Sequence, residues 1–312
     1  MLSLASFTSS HYADAIRTWN AACHRDYPIN ERFLSYNVIP TTGEIIEGRV
    51  AIHNGESVGF VLACAMQAGM LGWVSAIVVQ PSAQRKGIGA ELLAWAEGWL
   101  TEQDCKRIRI GGNLRPFLPG LPYAMRDYVA FFEKQGYGSP VRQPYEYDIA
   151  RSVKNYQASY PKPIDANLIP MNSGDENLLL DFLHREYPGR WEFEAQEFVK
   201  NDGRAADYLL LHVDSEVQGF CRLTLPDSER PIERFYPQRL PQPWGQFGPL
   251  GLSKAIRGRG LGGYLIDAAA CHMQSLGVNG CVIDWTSLVD LYAKFGFKVY
   301  NQYISLFKVI SG

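Results

Sequence analysis

The sequence predicts an α/β (α+β) chain: two tandem copies of one layered module, each a sheet of mixed strands flanked by helices. Three observations lead there. The 312 residues exceed the usual size of one domain and suit two of about 150. Strand-like and helix-like apolar patterns alternate on the schedule of a layered domain. The chain also repeats itself. Near the middle of each half an apolar run leads into a Gly-rich turn and then an amphipathic helix. It reads GWVSAIVVQPSAQRKGIGAELLAWAEGWL over 72–100 and GQFGPLGLSKAIRGRGLGGYLIDAAACHMQSL over 245–276. Further on, each half has a short helix that closes in a near-identical phrase, FFEKQGYG over 131–138 and YAKFGFK over 292–298. Gly87 and Gly260 lie 173 positions apart, Gly136 and Gly296 lie 160 apart, and the long segment 113–127 of the first half accommodates the difference. Two ordered coincidences of this kind mark a duplication.

The elements follow in order. In the first half a strand near 2–7 precedes a helix near 11–24. Strands are expected near 49–53, 57–67 and 72–79, then a helix over 87–102, a strand at 107–110, a short helix at 128–135 and a last strand at 145–149. The second half opens with a strand near 167–170 and helices near 176–186 and 192–201. Strands follow near 208–212, 218–225 and 247–252, then a helix over 260–276, a strand at 280–285, a short helix at 289–294 and a strand at 303–309. Residues 151–165, RSVKNYQASYPKPID, are polar, rich in Tyr and Pro, and without periodicity, which reads as a linker. The expected domains are therefore 1–150, the linker 151–165, and 166–312.

Composition narrows the function. Hydrophobic content of 46%, charged content of 20% and a formal net charge of −2 fit an ordinary globular protein and give no reason to expect a nucleic-acid or membrane-surface partner. No apolar run reaches the roughly 20 residues of a membrane span, and the start carries no leader-like pattern. Six scattered cysteines without a C-x-x-C pair suit free, buried thiols in a reducing compartment, so the cytoplasm is the expected location. The six histidines lack metal-ligand spacing, and no metal is expected. Trp95 and Trp99 on the first long helix read as a core stripe.

The chemistry starts at the two turns, Gln84-Arg85-Lys86-Gly87-Ile88-Gly89 and Arg257-Gly258-Arg259-Gly260-Leu261-Gly262. Both directly precede a helix. A helix start leaves backbone N–H groups unpaired and attracts phosphate, and glycine lets the backbone approach the phosphate oxygens. Gly258, Gly260 and Gly263 also satisfy G-x-G-x-x-G, and Asp284 ends the next strand, so a nicotinamide-dependent oxidoreductase is an alternative. Against it stand the long approach to the turn, the bulk of Arg259, and Leu92 in place of a third glycine in the first half. No G-K-[ST] follows either turn, which excludes a P-loop.

Together these segments resemble the GNAT superfamily of N-acetyltransferases, and the tandem arrangement with an active second half is similar to that of the mycothiol synthases, on general family residues alone. The resemblance implies two GNAT folds, each with a splayed sheet whose gap takes acetyl-CoA like an extra strand. It implies backbone groups for the pantetheine arm from Val78 and Val79 in the first half and from Leu250 and Leu252 in the second. A pyrophosphate cradle is implied at Gln84, Arg85, Lys86, Gly87 and Gly89, and at Arg257, Gly258, Arg259, Gly260, Gly262 and Gly263. The implied reaction is direct attack of an amine on the thioester, with a Tyr on the short helix protonating the leaving thiolate. That position is Tyr292 in the second half and Phe132 in the first, where only Tyr128, one turn earlier, offers a hydroxyl. The second module is therefore the expected catalytic one. A base is less evident: Asp284 is the first choice, with capping or pairing to Arg257 as its other reading, and Glu229 and Glu233 stand behind it. The turn 187–191 between two early helices lies where the superfamily shapes its acceptor pocket, or is an ordinary turn with a buried Trp191. The expected acceptor is a small-molecule amine and the expected assembly a monomer or homodimer. A non-catalytic acetyl-CoA-binding scaffold is the alternative from another class.

Overall fold

The computed structural model of the chain describes residues 2–23, 25–67, 69–140, 142 and 144–310. In chain order come β1 (Leu2–Ser6), α1 (Tyr12–Ala22), α2 (Glu31–Val38), β2 (Glu44–His53), β3 (Glu56–Met66), β4 (Leu71–Val79), α3 (Ile88–Glu102), β5 (Arg107–Ile110), β6 (Leu121–Pro122), α4 (Val129–Lys134) and β7 (Tyr145–Ser152). Then follow β8 (Ala166–Pro170), α5 (Glu176–Glu186), α6 (Arg190–Lys200), β9 (Tyr208–Val213), β10 (Glu216–Thr224), β11 (Trp244–Leu252), α7 (Leu261–Ser275), β12 (Gly280–Thr286), α8 (Val289–Ala293), β13 (Lys298–Ile304) and β14 (Phe307–Val309). His24, the expected end of the first helix, lies outside the described residues. Among the described residues no helix is long and apolar enough to cross a membrane.

The chain divides into two compact units, Met1–Glu146 with Asn301–Gly312, and Tyr147–Tyr300. In the first, the strand order is β1-β2-β3-β4-β5-β14. Its pairs are antiparallel except β4 with β5. The helix α3 presents Ile88, Leu92, Leu93, Ala96 and Leu100 at helical spacing, and these pack with Val61, Ala63, Val74 and Ile108 of the strands into one core. On the α1–α2 side, Trp19 and Phe33 meet the Phe117 ring at 5.4 and 5.6 Å.

The second unit runs β7-β12-β11-β10-β9-β8, again antiparallel except for one pair, β11 with β12. One core lies under α7, where Leu261, Leu265, Ala269 and Met273 face Phe247, Cys281 and Ile283. A second lies under α5 and α6, where Leu179, Phe182, Ala195 and Phe198 face Tyr208, Leu210 and Phe220.

Each unit therefore takes a strand from the other half of the sequence. β7 pairs with β12 in the second unit, and β14 pairs with β5 in the first. The single strand expected over 303–309 is two strands, β13 and β14. The segment expected as a linker begins inside β7, and Val153 and Tyr156 are buried in the core under α7. Alternating apolarity marks a strand but not the edge it joins. All six cysteines are free, but Cys23 and Cys271 are only partly buried.

Candidate active site

In the second unit β11 and β12 pair only at their starts, Trp244 with Gly280, Gly245 with Cys281 and Gln246 with Val282. Beyond this β11 stays with β10 as far as Leu252 opposite Gly219, and β12 stays with β7. The two strands part into a fork. The Ser253 N–H is donated to the Gln218 carbonyl at 2.8 Å, on the β10 side. Backbone groups alternate along a strand, so those of Leu250 and Leu252 turn into the fork. The first unit forks likewise after Val74 and Ile110. There Gln80 donates to the Val58 carbonyl at 2.8 Å, so Val79 and Ile77 face the fork while Val78 faces β3. Successive residues of an extended strand cannot share one side, and Ile77 stands where Leu250 stands in the second unit.

The Gly-rich turns open α3 and α7 through Gly87 and Gly260, both left-handed at φ 85° and 79°. A Cβ on Gly87, Gly258 or Gly260 would meet no atom within 4 Å, so the space over these helix starts is open to an anion. Two side chains occupy matching roles: Gln84 Nε2 donates to the Val79 carbonyl at 3.0 Å, and Arg257 Nη2 to the Leu252 carbonyl at 3.3 Å. Tyr187 Oη also donates to the Leu252 carbonyl, at 2.7 Å. Arg85 is exposed at φ 62°, where the second turn has Gly258 at φ 81°. Lys86 Nζ donates to the Ser82 carbonyl at 3.0 Å, and Arg259 reaches Asp165 at 3.3 Å. Gly89 and Gly262 would make ordinary contacts, with Phe131 at 3.6 Å and Leu252 at 3.7 Å. Gly263 differs: a Cβ there would come within 2.3 Å of the Tyr160 ring, which stacks on Phe295 at 5.4 Å. Its bareness admits that ring.

At the mouth of the fork Asp284 accepts from Gln246 Nε2 at 2.7 Å; it does not pair with Arg257. The amide of Gln246 is fixed from behind, since its Oε1 accepts from Arg230 Nη2 at 2.8 Å and from Thr224 Oγ1 at 2.9 Å. Gln246 is fully buried. A polar residue in an otherwise apolar strand was the available signal for it. Tyr292 is 5% exposed, and its ring meets Phe297 edge-on at 6.2 Å. Burial pushes its phenol well above the usual range, and the neighbouring Cys221 and Asp284 add to that. The matching registers of Leu71 with Arg107 and Trp244 with Gly280 carry the 173-residue offset through both forks. Gly111 therefore stands in the first unit where Asp284 stands in the second. Phe132 replaces Tyr292 there, and Tyr128 Oη lies 3.5 Å from Gln84 Nε2. Glu229 is exposed and Glu233 partly buried in the turn Ile232–Phe235.

The α5–α6 turn closes the other side. Arg190 donates through Nε to Glu194 Oε1 at 2.6 Å, and its guanidinium lies 4.3 Å over the Trp285 ring. Burial alone would raise the Glu194 carboxyl, but Arg190, Arg222 and Arg230 outweigh it and hold the group below its ordinary range. Trp191 packs 4.9 Å from Tyr187 and 5.8 Å from Phe220. Among the described residues no group of three or more His, Cys, Asp or Glu is placed to hold a metal. The dinucleotide alternative calls for a parallel sheet around its glycine turn, whereas β11 and β12 form the one parallel pair of the second unit among the described residues.

The model of the acetyltransferase (GNAT) family matches residues 12–115 and 177–297. The chain belongs to the GNAT family. A search of curated proteins finds no match. Among solved structures, a glucosamine N-acetyltransferase region of a fungal multi-domain GH3 β-N-acetylglucosaminidase superposes with a TM-score of 0.87 at 21% identity, over 98% of this chain. The present chain spans 38% of that protein's length. A GCN5-related N-acetyltransferase from Sphaerobacter thermophilus has a TM-score of 0.73 at 16% identity, covering 100% of this chain and 96% of its own. A tandem GNAT protein from the clavulanic acid pathway has 0.72 at 14%, covering 100% and 99%. Such identities establish the fold, a tandem pair of GNAT modules, and leave the substrate open. The GNAT family in general uses acetyl-CoA.

Proposed function

We propose that the second unit transfers an acetyl group from acetyl-CoA to the amine of a small molecule, with the first unit kept as a CoA-binding or structural partner. One observation carries this reading: at matching positions the second unit has a carboxylate and a phenol, Asp284 and Tyr292, where the first has Gly111 and Phe132. The residues at the fork fit the co-substrate. The backbone groups of Leu250 and the Leu252 N–H are directed to the pantetheine arm, the Leu252 carbonyl being engaged by Tyr187 and Arg257. The open space over Gly258 and Gly260 suits the pyrophosphate, with Arg257 and Arg259 at its rim.

Bound acetyl-CoA supplies the acetyl group as a thioester. Asp284, oriented by Gln246, takes a proton from the amine as the N–C bond forms. Tyr292 gives its proton to the sulfur as the C–S bond breaks; a phenol carries that proton at neutral pH. Glucosamine is the first acceptor to test, because the fungal region of the same fold is named for it.

Calorimetric titration with acetyl-CoA, followed by turnover with glucosamine and a panel of amines, tests this reading. Tyr292→Phe is expected to lower kcat by about a hundredfold or more with the acetyl-CoA Kd unchanged. Absence of acetyl-CoA binding overturns the reading. Binding without turnover of any amine favours the scaffold alternative, which the loss of both groups in the first unit makes concrete.

A further inference from the structure

At the residue after Asp284 the two forks solve the same backbone problem differently. The pairing of β12 with β7 slips between Ile283 and Thr286, a bulge that holds Asp284 and Trp285. Trp285 sits there at φ 48°, in the left-handed region that a bulky side chain avoids. The 173-residue offset places Gly112, at φ 77°, at the same point of the first unit. Glycine is the unstrained solution, and the chain uses it in the half that lacks Asp284 and Tyr292. In the second unit the strained indole is held instead. Its N–H of the main chain is donated to Asp148 Oδ1 at 3.0 Å, and Asp148 is 2% exposed, so a buried carboxylate on the neighbouring strand clamps the bulge. The ring is partly exposed. One face carries the Arg190 guanidinium at 4.3 Å, and Arg190 is itself held by Glu194. A conformation this unfavourable persists where the side chain is needed at that place.

Resting on the reading that the second unit is the acetyltransferase, we infer that Trp285, braced by Arg190, is the wall against which the acceptor lies, and that it selects an amine borne on a ring with an apolar face, such as an amino sugar. An indole offers a flat apolar surface, and Asp284, its neighbour in the chain, takes the amine. Arg190, over one face of the ring and held by Glu194, offers N–H donors that suit hydroxyl groups. A pyranose presents such a C–H face together with hydroxyls at its edge; a flexible aliphatic amine presents neither.

The test compares wild type with Trp285→Gly, which installs the first unit's residue, and with Trp285→Phe, which keeps an aromatic face. The probe is glucosamine, with a straight-chain alkylamine as control. For Trp285→Gly the KM for glucosamine is expected to rise by about tenfold or more, with the acetyl-CoA Kd unchanged. Trp285→Phe is expected to restore most of the lost affinity. A second readout needs no turnover: glucosamine should perturb the tryptophan emission of wild type but not of Trp285→Phe. Unchanged KM in Trp285→Gly, or equal preference of wild type for the alkylamine, overturns the wall while acetyl transfer stands. If wild type binds no acetyl-CoA, or acetylates no amine, the reading beneath the inference fails with it.

Discussion

Asp267 offers a sharp test of how the second unit is held together beside its Gly-rich turn. It lies on α7 at 1% exposure and accepts three hydrogen bonds: from Tyr156 Oη at 2.5 Å and from the Ser159 and Tyr160 N–H groups at 2.6 Å each. These three donors are the segment that composition reads as linker. Through them the Tyr160 ring is set against Gly263 and Phe295. Replacing Asp267 with Ala removes both acceptor oxygens and leaves two amides and a phenol short of partners. Hydrogen bonds to a charged group contribute about 1.5–3 kcal/mol each, but deleting a buried carboxylate also returns its desolvation cost. A net local loss of about 3 kcal/mol is the reasonable balance. Asp267→Asn keeps the shape: its carbonyl oxygen can accept from both amides while its NH2 donates to the Tyr156 oxygen. That variant should lose only about 1 kcal/mol.

Hydrogen exchange of the 156–165 segment reads this directly, because local opening need not involve the whole unit. With about 1.4 kcal/mol per decade, Asp267→Ala should speed exchange there by about a hundredfold and Asp267→Asn by about fivefold. Equal exchange in the two variants would refute the reasoning, since it would mean that the three bonds hold nothing in place. Exchange across α5 and α6 serves as the internal control, because Asp267 bonds to neither helix.

Two further predictions concern the turn and the acceptor side. Gly260→Ala and Gly87→Ala both force an L-residue to a positive φ with open space around the new Cβ, so each should cost about 1–2 kcal/mol of stability by urea unfolding. Only Gly260→Ala should also weaken acetyl-CoA binding, by about tenfold or more, if the second turn is the one that binds; an equal loss in Gly87→Ala would show two working sites. Glu194 should make stability depend on acid pH. Its carboxyl lies below its ordinary range in the fold, so its contribution is complete above the unfolded value of about 4.3 and is lost as pH falls through the folded one. Glu194→Gln should flatten the fall of Tm below that point, and an unchanged acid limb would refute the assignment.

Much of the fold was legible because its signals are local. The Gly-rich turns show as glycines before a helix, and the apolar stripe of α7 shows as spacing. The loss of a phenol in the first unit shows as Phe132 against Tyr292. What stayed hidden depends on partners distant in sequence. Nothing in residues 145–152 says that they pair with β12, and nothing in 307–309 says that they pair with β5. Nor does composition tell that a Tyr- and Pro-rich stretch is fastened by a buried aspartate 107 to 111 positions away. Val78 was misplaced by one residue for a different reason: the side to which a backbone group turns is set by strand pairing, which apolarity does not encode.

The duplication supplies an internal comparison that a single module lacks. Both units keep the fork, the left-handed glycine before the helix, and the side chain that reaches back to the last fork-facing carbonyl. These features belong to the shared scaffold, and their retention says nothing about which unit reacts. Besides Gly258 against Arg85 in the turn, three differences stand out: Asp284 against Gly111, Trp285 against Gly112, and Tyr292 against Phe132. Phe132 fills the core of the first unit as Tyr292 does that of the second, so packing alone does not require the hydroxyl. Glycine at 112 adopts without strain the backbone that Trp285 holds at φ 48°, so the fold does not require the indole either. These are the positions on which the proposed transfer by the second unit rests. The second unit keeps all three within reach of one fork.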